Sequence, residues 1–517
     1  MTLAYWDRPL DFPSIRPQGT GLLVLLTIGC GMGFLLFGYD QGVMGGLIGG
    51  ESFLSQFPTL ATNATLLGFV VAVYEIGALF GSLFASFYGD TLGRRKALIL
   101  GCSFAFVGGA IQGGCENVAM LIVFRIFTGL GIGVLTSLLP AFHAECAPAR
   151  YRGSIVLLDL VMCASGLTIS FWLTYGMSFV PGHAQWRFPL SFQAIFPLIV
   201  LFIVAFLPDS PRWLAAQGRI DESREVLIRY NGEAVGLEIL NEIETALALE
   251  SSVEVARWSD AFKPNGQCFR YRTLLAMGAL FAQQATGVNM ISYYSTTIFT
   301  DSVGLSRNLS LLLSGVNGIN SLLFVSISCA FLIDRVGRVR LMWSTAAVQA
   351  VFMAVMAGVL QKTVPSKGEG IVGATMLFLF YSTFSAGWLG PSWLYGSEIS
   401  PLATRSAAAS LASVSNWIWN FVVVMIVPKA FQNIGAYFYI VFAIGNALLV
   451  PLLYFCFPET ARLSLEEIDS LFVDGKVHVR RSPREPVRGG AFVEMHAQRE
   501  KVERGEQNMV ENAKVEV

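Results

Sequence analysis

The sequence predicts an all-α integral membrane protein whose twelve transmembrane helices form two pseudo-symmetric six-helix halves. Three observations carry this expectation. The first is composition: of 517 residues, 54% are hydrophobic and 14% charged, with mean hydropathy +0.58, whereas soluble proteins carry about 25% charged residues. That balance excludes a disordered chain and a water-soluble enzyme, and the 51 glycines suit closely packed transmembrane helices. The second is that apolar runs of the ~20 residues needed to cross a bilayer occur twelve times. The third is that charged motifs at the ends of these runs recur in the same order in both halves.

The runs are 21–46, 65–88, 97–115, 118–140, 153–177, 188–207, 273–299, 309–333, 341–360, 371–396, 406–427 and 436–457, numbered here as spans 1 to 12. They divide the chain into a segment 1–20, a first half 21–207, a charged helical loop 208–272, a second half 273–457 and a tail 458–517. Residues 1–20 hold no apolar stretch of signal-peptide form, so span 1 is expected to act as its own insertion signal. An even number of spans puts both tails on one side. Of the 35 Lys and Arg residues, 29 fall in the tails, the even-to-odd loops and the 208–272 loop. Arg187, Arg307, Lys362, Lys367 and Lys429 fall on the opposite side, and Arg125 falls inside span 4. Positive charge stays cytosolic, so both termini and the 208–272 loop are expected there. The tail mixes signs and is expected to be mostly disordered.

Other functions are disfavoured by what the sequence lacks. Net charge is −1 with pI about 6.5, which offers no basic surface for nucleic acid. The eight cysteines form no CxxC, and the four histidines (His143, His183, His478, His496) stand far apart. Neither a metal nor a cofactor is expected. There is no HExxH and no Ser/His/Asp grouping placed for catalysis, so the chain is not expected to be an enzyme.

The internal repeat is specific. Gly89-Asp90-Thr91-Leu92-Gly93-Arg94-Arg95 follows span 2, and Asp334-Arg335-Val336-Gly337-Arg338 follows span 8. Glu145, with Arg152 seven residues on, follows span 4; Glu398, with Arg405 seven residues on, follows span 10. Pro208-Asp209-Ser210 ends span 6 and Pro458-Glu459-Thr460 ends span 12. A duplicated six-helix unit points to a transporter whose halves rock about a central site.

Taken together, GDTLGRR, the Arg125-Ile-Phe-Thr-Gly run, PAFHAECAPARYRG, PDSPRWL, QQATGVN, DRVGR, the Trp393–Arg405 stretch and PETARLSLEEID resemble the sugar porter family of the major facilitator superfamily. The match covers roughly residues 25 to 472. FGYDQGVMGGLI, QWRFPLSFQAIFP and FPETARLSLEEID are more similar to the fungal branch of proton-coupled sugar and glycerol symporters. The resemblance implies a major facilitator fold and a plasma-membrane carrier. Its partners would be a small neutral sugar or polyol, a proton and the lipid bilayer.

Acids inside the membrane cost about 2.5–3.5 kcal/mol on insertion scales and usually have a partner or a task. Asp40 lies eleven residues before Glu51, at the outer end of span 1; Arg125 lies nine residues after Glu116, at the outer end of span 4. At about 1.5 Å per residue the two sit at similar depth. An Asp–Arg pair there would hold the acid ionised until proton and substrate arrive; a permanent pair that orients span 1 is the alternative. The family's proton-coupled members carry an acid at the position of Asp40, which favours symport. Glu75, inside span 2, is either a second functional acid or a packing acid. Asp159 is expected to reach the cytosolic interface.

A sugar needs amides that both donate and accept, and an aromatic face to stack on. Span 7 offers Gln283, Gln284 and Asn289 around Thr286-Gly287, and spans 10 and 11 offer Trp393, Asn416, Trp417 and Asn420. On an unbroken helix of ~100° per residue Gln283 and Asn289 would point about 240° apart, so a break at Gly287 is expected. By resemblance Gln283, Gln284, Asn289, Trp393 and Asn420 contact the sugar, and Asn416 neighbours them. The alternative is amides that only bond helix to helix. Asn320 is a further candidate.

Two departures put glucose in question: Leu160 stands where hexose carriers usually have Gln, and Ser385 where many have Glu. They leave room for a smaller polyol. By resemblance Asp90, Arg94, Arg95, Glu145, Arg152, Asp334, Arg338, Glu398 and Arg405 form cytosolic gating ion pairs; topology-setting charge alone is the alternative. Asn63-Ala-Thr and Asn308-Leu-Ser are possible glycosylation sites on the outer side. The expected function is import of a monosaccharide with a proton by alternating access; a glycerol, polyol or quinate permease and a non-transporting sensor stand as alternatives.

Overall fold

The computed structural model describes residues 18–147, 152–252, 261–263, 267–361, 366–401, 404–463, 465–473, 476–477 and 479. Ten stretches among them are long and apolar enough to cross a membrane. One of these, Ala407–Cys456, holds two helices, Arg405–Ile434 and Phe438–Cys456, separated at Gly435. The helix Arg94–Gln112, which starts on three cations, completes the twelve.

Spans 1 to 5 are Thr20–Leu47, Ala64–Leu92, Arg94–Gln112, Val118–Cys146 and Arg152–Met177. Span 6 is Ala184–Phe192 followed by Ile195–Phe206. Span 7 is broken into Phe269–Ala285 (7a) and Val288–Thr297 (7b). Span 8 runs from Arg307, with its regular helix ending at Ile327 and continuing through a wider turn to Val336. Span 9 is Arg338–Val359, and span 10 is broken into Lys367–Gly387 and Pro391–Ile399. Spans 11 and 12 are the two helices inside Ala407–Cys456.

Within the first half span 1 packs on span 5 and span 2 on span 4; across the halves span 2 packs on span 11, span 5 on span 8 and span 1 on 7b. The cavity described below lies among these cross-half pairs. Lipid-facing side chains such as Phe202, Leu448 and Ile371 stay more than half exposed, as expected when the surrounding solvent is hydrocarbon.

The 208–272 loop is helical where described, with helices Pro211–Ala216, Ile220–Asn231 and Glu233–Ser252. Two short helices that the hydropathy pattern did not announce, Glu51–Gln56 and Pro58–Thr62, cover the opposite face. Phe53 and Phe57 hold them down against Trp186 at ring distances of 5.9 and 5.4 Å.

The tail begins with structure rather than disorder. Helix Leu465–Asp469 and a strand pair, Phe472–Val473 with Lys476–Val477, dock under span 7. The fully buried Arg272 supplies the reason: it bonds to Asp469 at 2.6 Å, donates to the Ile399 carbonyl at 2.7 Å and lies 4.8 Å over the Phe472 ring. The expected disorder of the rest of the tail, from 480 onward, falls outside the described residues.

Candidate functional site

The cavity between the halves is built around the break in span 7. Gly287 takes φ +90°, ψ 12°, a left-handed conformation that L side chains disfavour. A Cβ there would come within 2.5 Å of Phe442. Because the helix stops at Ala285 and restarts at Val288, amides six residues apart face one space. Gln284 donates to Asn416 Oδ1 at 2.6 Å and accepts from Asn289, which also donates to Asn420. Gln283 donates to the Trp388 carbonyl, 3.2 Å away at the break in span 10.

All six expected substrate contacts, Gln283, Gln284, Asn289, Trp393, Asn416 and Asn420, line this cavity. Phe37, Gln41, Ser292, Tyr381 and Phe384 line it too. Sequence reading missed these, although Gln41 stands next to Asp40. Trp417 sits behind the lining, fully buried and edge-on to Phe37 at 5.5 Å. The wall is therefore amide, hydroxyl and aromatic, and no charged side chain is among the residues that line it.

Three sequence expectations change here. Asn320 does not face the cavity. It bonds to Asn317 and the Phe378 carbonyl and accepts from Ser382, so it ties span 8 to span 10. Leu160 packs in a small apolar cluster with Ala164 and Val325, one layer behind the lining residue Leu389. Ser385 is likewise one layer back, 2.8 Å from the lining residue Ser321.

Beside the cavity, Asp40 and Arg125 meet at 3.6 Å, both fully buried. The pair is loose: neither Asp40 oxygen has a hydrogen-bond partner among the described residues. Arg125 is positioned instead by its bond to the Val71 carbonyl at 2.9 Å and by lying 5.0 Å over the Tyr74 ring. Glu75, equally buried, accepts from Tyr293 of 7b at 2.7 Å. Asp159 does not reach an interface. It is buried against His143 at 3.3 Å, and His143 in turn meets Thr27 at 3.2 Å. Burial on facing spans, which sequence separation hides, brought these three together.

The repeated charged motifs occupy equivalent places at the loop-side ends of the halves. Arg94 pairs with Asp90 and, at 3.1 Å, with Glu145; Arg338 pairs with Asp334 and Glu398, both at 2.9 Å. Each set joins helix ends within one half. Arg95 donates to the carbonyls of Val204 and Ala205, and Arg405 is half-buried at the start of span 11. The side chain of Arg152 lies outside the described residues.

The Pro-Asp-Ser and Pro-Glu-Thr motifs explain themselves in this setting. Asp209 accepts from the backbone N–H of Arg95, and Glu459 from those of Arg338, Val339 and Arg340, so each carboxylate caps the start of span 3 or 9. The helices start at Gly93 (φ +87°) and Gly337 (φ +109°), where a Cβ would come 2.6 Å from the capping carboxylate in both cases. Asn63 is an exposed cap that accepts from Leu66 N–H at 3.0 Å, and Asn308 is exposed at the start of span 8.

Residues 26–472 match the family described as "Sugar (and other) transporter". The chain belongs to the sugar porter family of the major facilitator superfamily. This sugar porter is 34% identical over 471 residues to the Sugar transporter STL1 of Saccharomyces cerevisiae, covering 88% of this chain and 82% of that one. It is 31% identical over 472 residues to the Arabinose-proton symporter of Bacillus subtilis, covering 90% and 98%. Its fold is similar to that of the proton:xylose symporter XylE from E. coli solved with 6-bromo-6-deoxy-D-glucose bound, with a TM-score of 0.74 at 24% identity, covering 88% of this chain and 100% of the other. The sugar porter is a multi-pass membrane transporter, not an enzyme.

Proposed function

We propose that this sugar porter imports a small neutral monosaccharide across the plasma membrane together with a proton, by alternating access of its two halves, with both termini in the cytosol. The observation that carries this reading is the juxtaposition of an uncharged amide-and-aromatic cavity with a buried Asp40–Arg125 pair. Gln283, Gln284, Asn289, Asn416 and Asn420 offer the donor–acceptor pairs that sugar hydroxyls match, and Trp393 offers a face for the C–H side of the ring. An anionic substrate would need a cation in the cavity wall, and Arg125 is engaged by Asp40. Protonation of Asp40 releases Arg125 and lets the halves move with substrate aboard. The proton-coupled sugar carrier among its relatives supports the same reading. The ion pairs of Arg94 and Arg338 hold helix ends together, so each half moves as a body.

A smaller polyol is the second reading, because the hydroxyl and amide groups of Gln283, Gln284, Asn289 and Ser292 that line the cavity match the hydroxyls of an open-chain polyol as well as those of a ring. The test is uptake of labelled glucose, xylose, glycerol and quinate in yeast lacking its own carriers, with external pH recorded. Monosaccharide uptake with alkalinisation of the medium is the expected result. Glycerol uptake alone would select the polyol reading, and quinate uptake without sugar uptake would end the neutral-substrate reading.

A further inference from the structure

Two carboxylates and one guanidinium share the sealed space beside the cavity. Asp40 and Glu75 are both fully buried, and Arg125 of span 4 is the cation that pairs with Asp40. The titratable groups facing Glu75 are Asp40 from span 1, Tyr74 from its own span 2, Arg125 from span 4 and Tyr293 from 7b; Tyr294 of 7b faces Arg125. With both acids ionised the cluster carries a net negative charge in a low-dielectric interior, which is costly. One proton makes it neutral. Glu75 Oε1 accepts from Tyr293, while Oε2 is buried without a hydrogen-bond partner among the described residues. An unpartnered buried oxygen is more costly on a carboxylate than on a carboxyl.

Tyr293 belongs to the other half of the molecule. Its hydroxyl reaches across to Glu75 and Tyr74 of span 2, and Ser292 and Asn289 of the same short helix line the cavity. The Tyr74 ring lies under the Arg125 guanidinium. A continuous buried chain of contacts therefore runs from the Asp40–Arg125 pair through Tyr74 and Tyr293 to a helix that lines the cavity.

We propose that Glu75 is a second proton-carrying acid of the transport cycle, and that the hydrogen bond it accepts from Tyr293 ties the charge state of the Asp40–Arg125 site to closure of 7b over the cavity. Asp40 and Glu75 share one proton while the site is sealed. Gain or loss of that proton changes the strength of the Tyr293 bond across the halves, because a hydrogen bond to a carboxylate is roughly twice as strong as one between neutral groups. Glu75 is thus a positioning residue: it acts on substrate through Tyr293. The inference rests on the symport reading above.

The experiment compares wild type, Glu75→Gln, Glu75→Asp and Tyr293→Phe in the same yeast, at matched surface amounts of a tagged carrier. Sugar-induced alkalinisation, accumulation ratio and the pH profile of initial uptake are read, using the sugar that the wild type transports. Glu75→Gln should lose at least tenfold in accumulation ratio while counterflow exchange falls less than threefold. Glu75→Asp, which keeps an acid, should keep alkalinisation with a displaced pH profile. Tyr293→Phe removes a donor to the charged form, so protonation persists to higher pH. The midpoint of its pH profile should move alkaline by about one unit, the tenfold that a charge-assisted bond carries. A merely structural bond would lower rate without moving the midpoint. Wild-type accumulation and pH profile in Glu75→Gln, or an unmoved midpoint in Tyr293→Phe, overturns this proposal and leaves symport standing. Absence of alkalinisation in the wild type overturns both.

Discussion

Replacing Asp40 by Asn separates coupling from transport. The ion pair spans 3.6 Å with both partners buried. At an effective dielectric constant near 20 its Coulomb term is about 4–5 kcal/mol. Asn keeps the shape and removes the charge, so Arg125 is left facing a neutral amide, with Glu75 as the remaining nearby acid. The carrier then has no acid at this position to load and unload. In the wild type, one proton moving through 100 mV supplies about 2.3 kcal/mol, enough for roughly fiftyfold accumulation of a neutral sugar. Asp40→Asn is expected to bring that ratio to about one, while sugar still exchanges down its gradient. The assay is the steady-state internal-to-external ratio of a non-metabolised sugar analogue, with surface carrier quantified and a protonophore as control. A variant that still concentrates the analogue several-fold, in a protonophore-sensitive manner, would refute the assignment of Asp40 as a coupling acid.

Other perturbations have equally definite outcomes. Gln284→Ala removes an amide of the cavity wall together with the bonds that hold Asn416 and Asn289 beside it; at about 0.5–1.5 kcal/mol for each substrate hydrogen bond lost, apparent affinity should fall roughly twofold to tenfold per bond, and an unchanged KM would reject its place in the site. Gly287→Ala forces a side chain into a left-handed conformation costing about 1–2 kcal/mol and into Phe442, so melting temperature in detergent and uptake should both fall; normal values would mean that the break does not depend on glycine. Leu160→Gln buries an amide beside Ala164 and Val325 and should lower stability by about 1–3 kcal/mol without tightening glucose; tighter glucose competition would instead bring position 160 into a hexose site. Glu459→Gln weakens a cap that accepts from three backbone N–H groups and should cost about 0.5–2 kcal/mol in thermal stability, checked by the same melting assay.

The sequence by itself determined the twelve spans, the two halves and the matching depth of Asp40 and Arg125. Each of these is a one-dimensional property. Span length follows from bilayer thickness, the repeat from ordered motifs at nearly constant offset, and the match of Asp40 to Arg125 from counting residues inward from Glu51 and Glu116. The break at Gly287 was also legible, because amides at 283 and 289 cannot face one space on a continuous helix. Tertiary structure alone decided which way each helix turns. An amphipathic helix announces its buried face as a stripe, but a helix that is apolar all round carries no such stripe. Hence Asn320 and Leu160 read as cavity residues and turned out to lie behind it. Asp159 read as interfacial and turned out to be paired with His143, and Glu75 gave no sign that Tyr293, 218 residues away, would reach it from the other half. The Pro-Asp-Ser and Pro-Glu-Thr motifs were visible as repeats. Their work as helix caps was not, because the N–H groups they satisfy belong to helices more than a hundred residues earlier. Contacts of this kind are set by how closely packed helices rotate and slide against one another, and that is settled only when all twelve are in place.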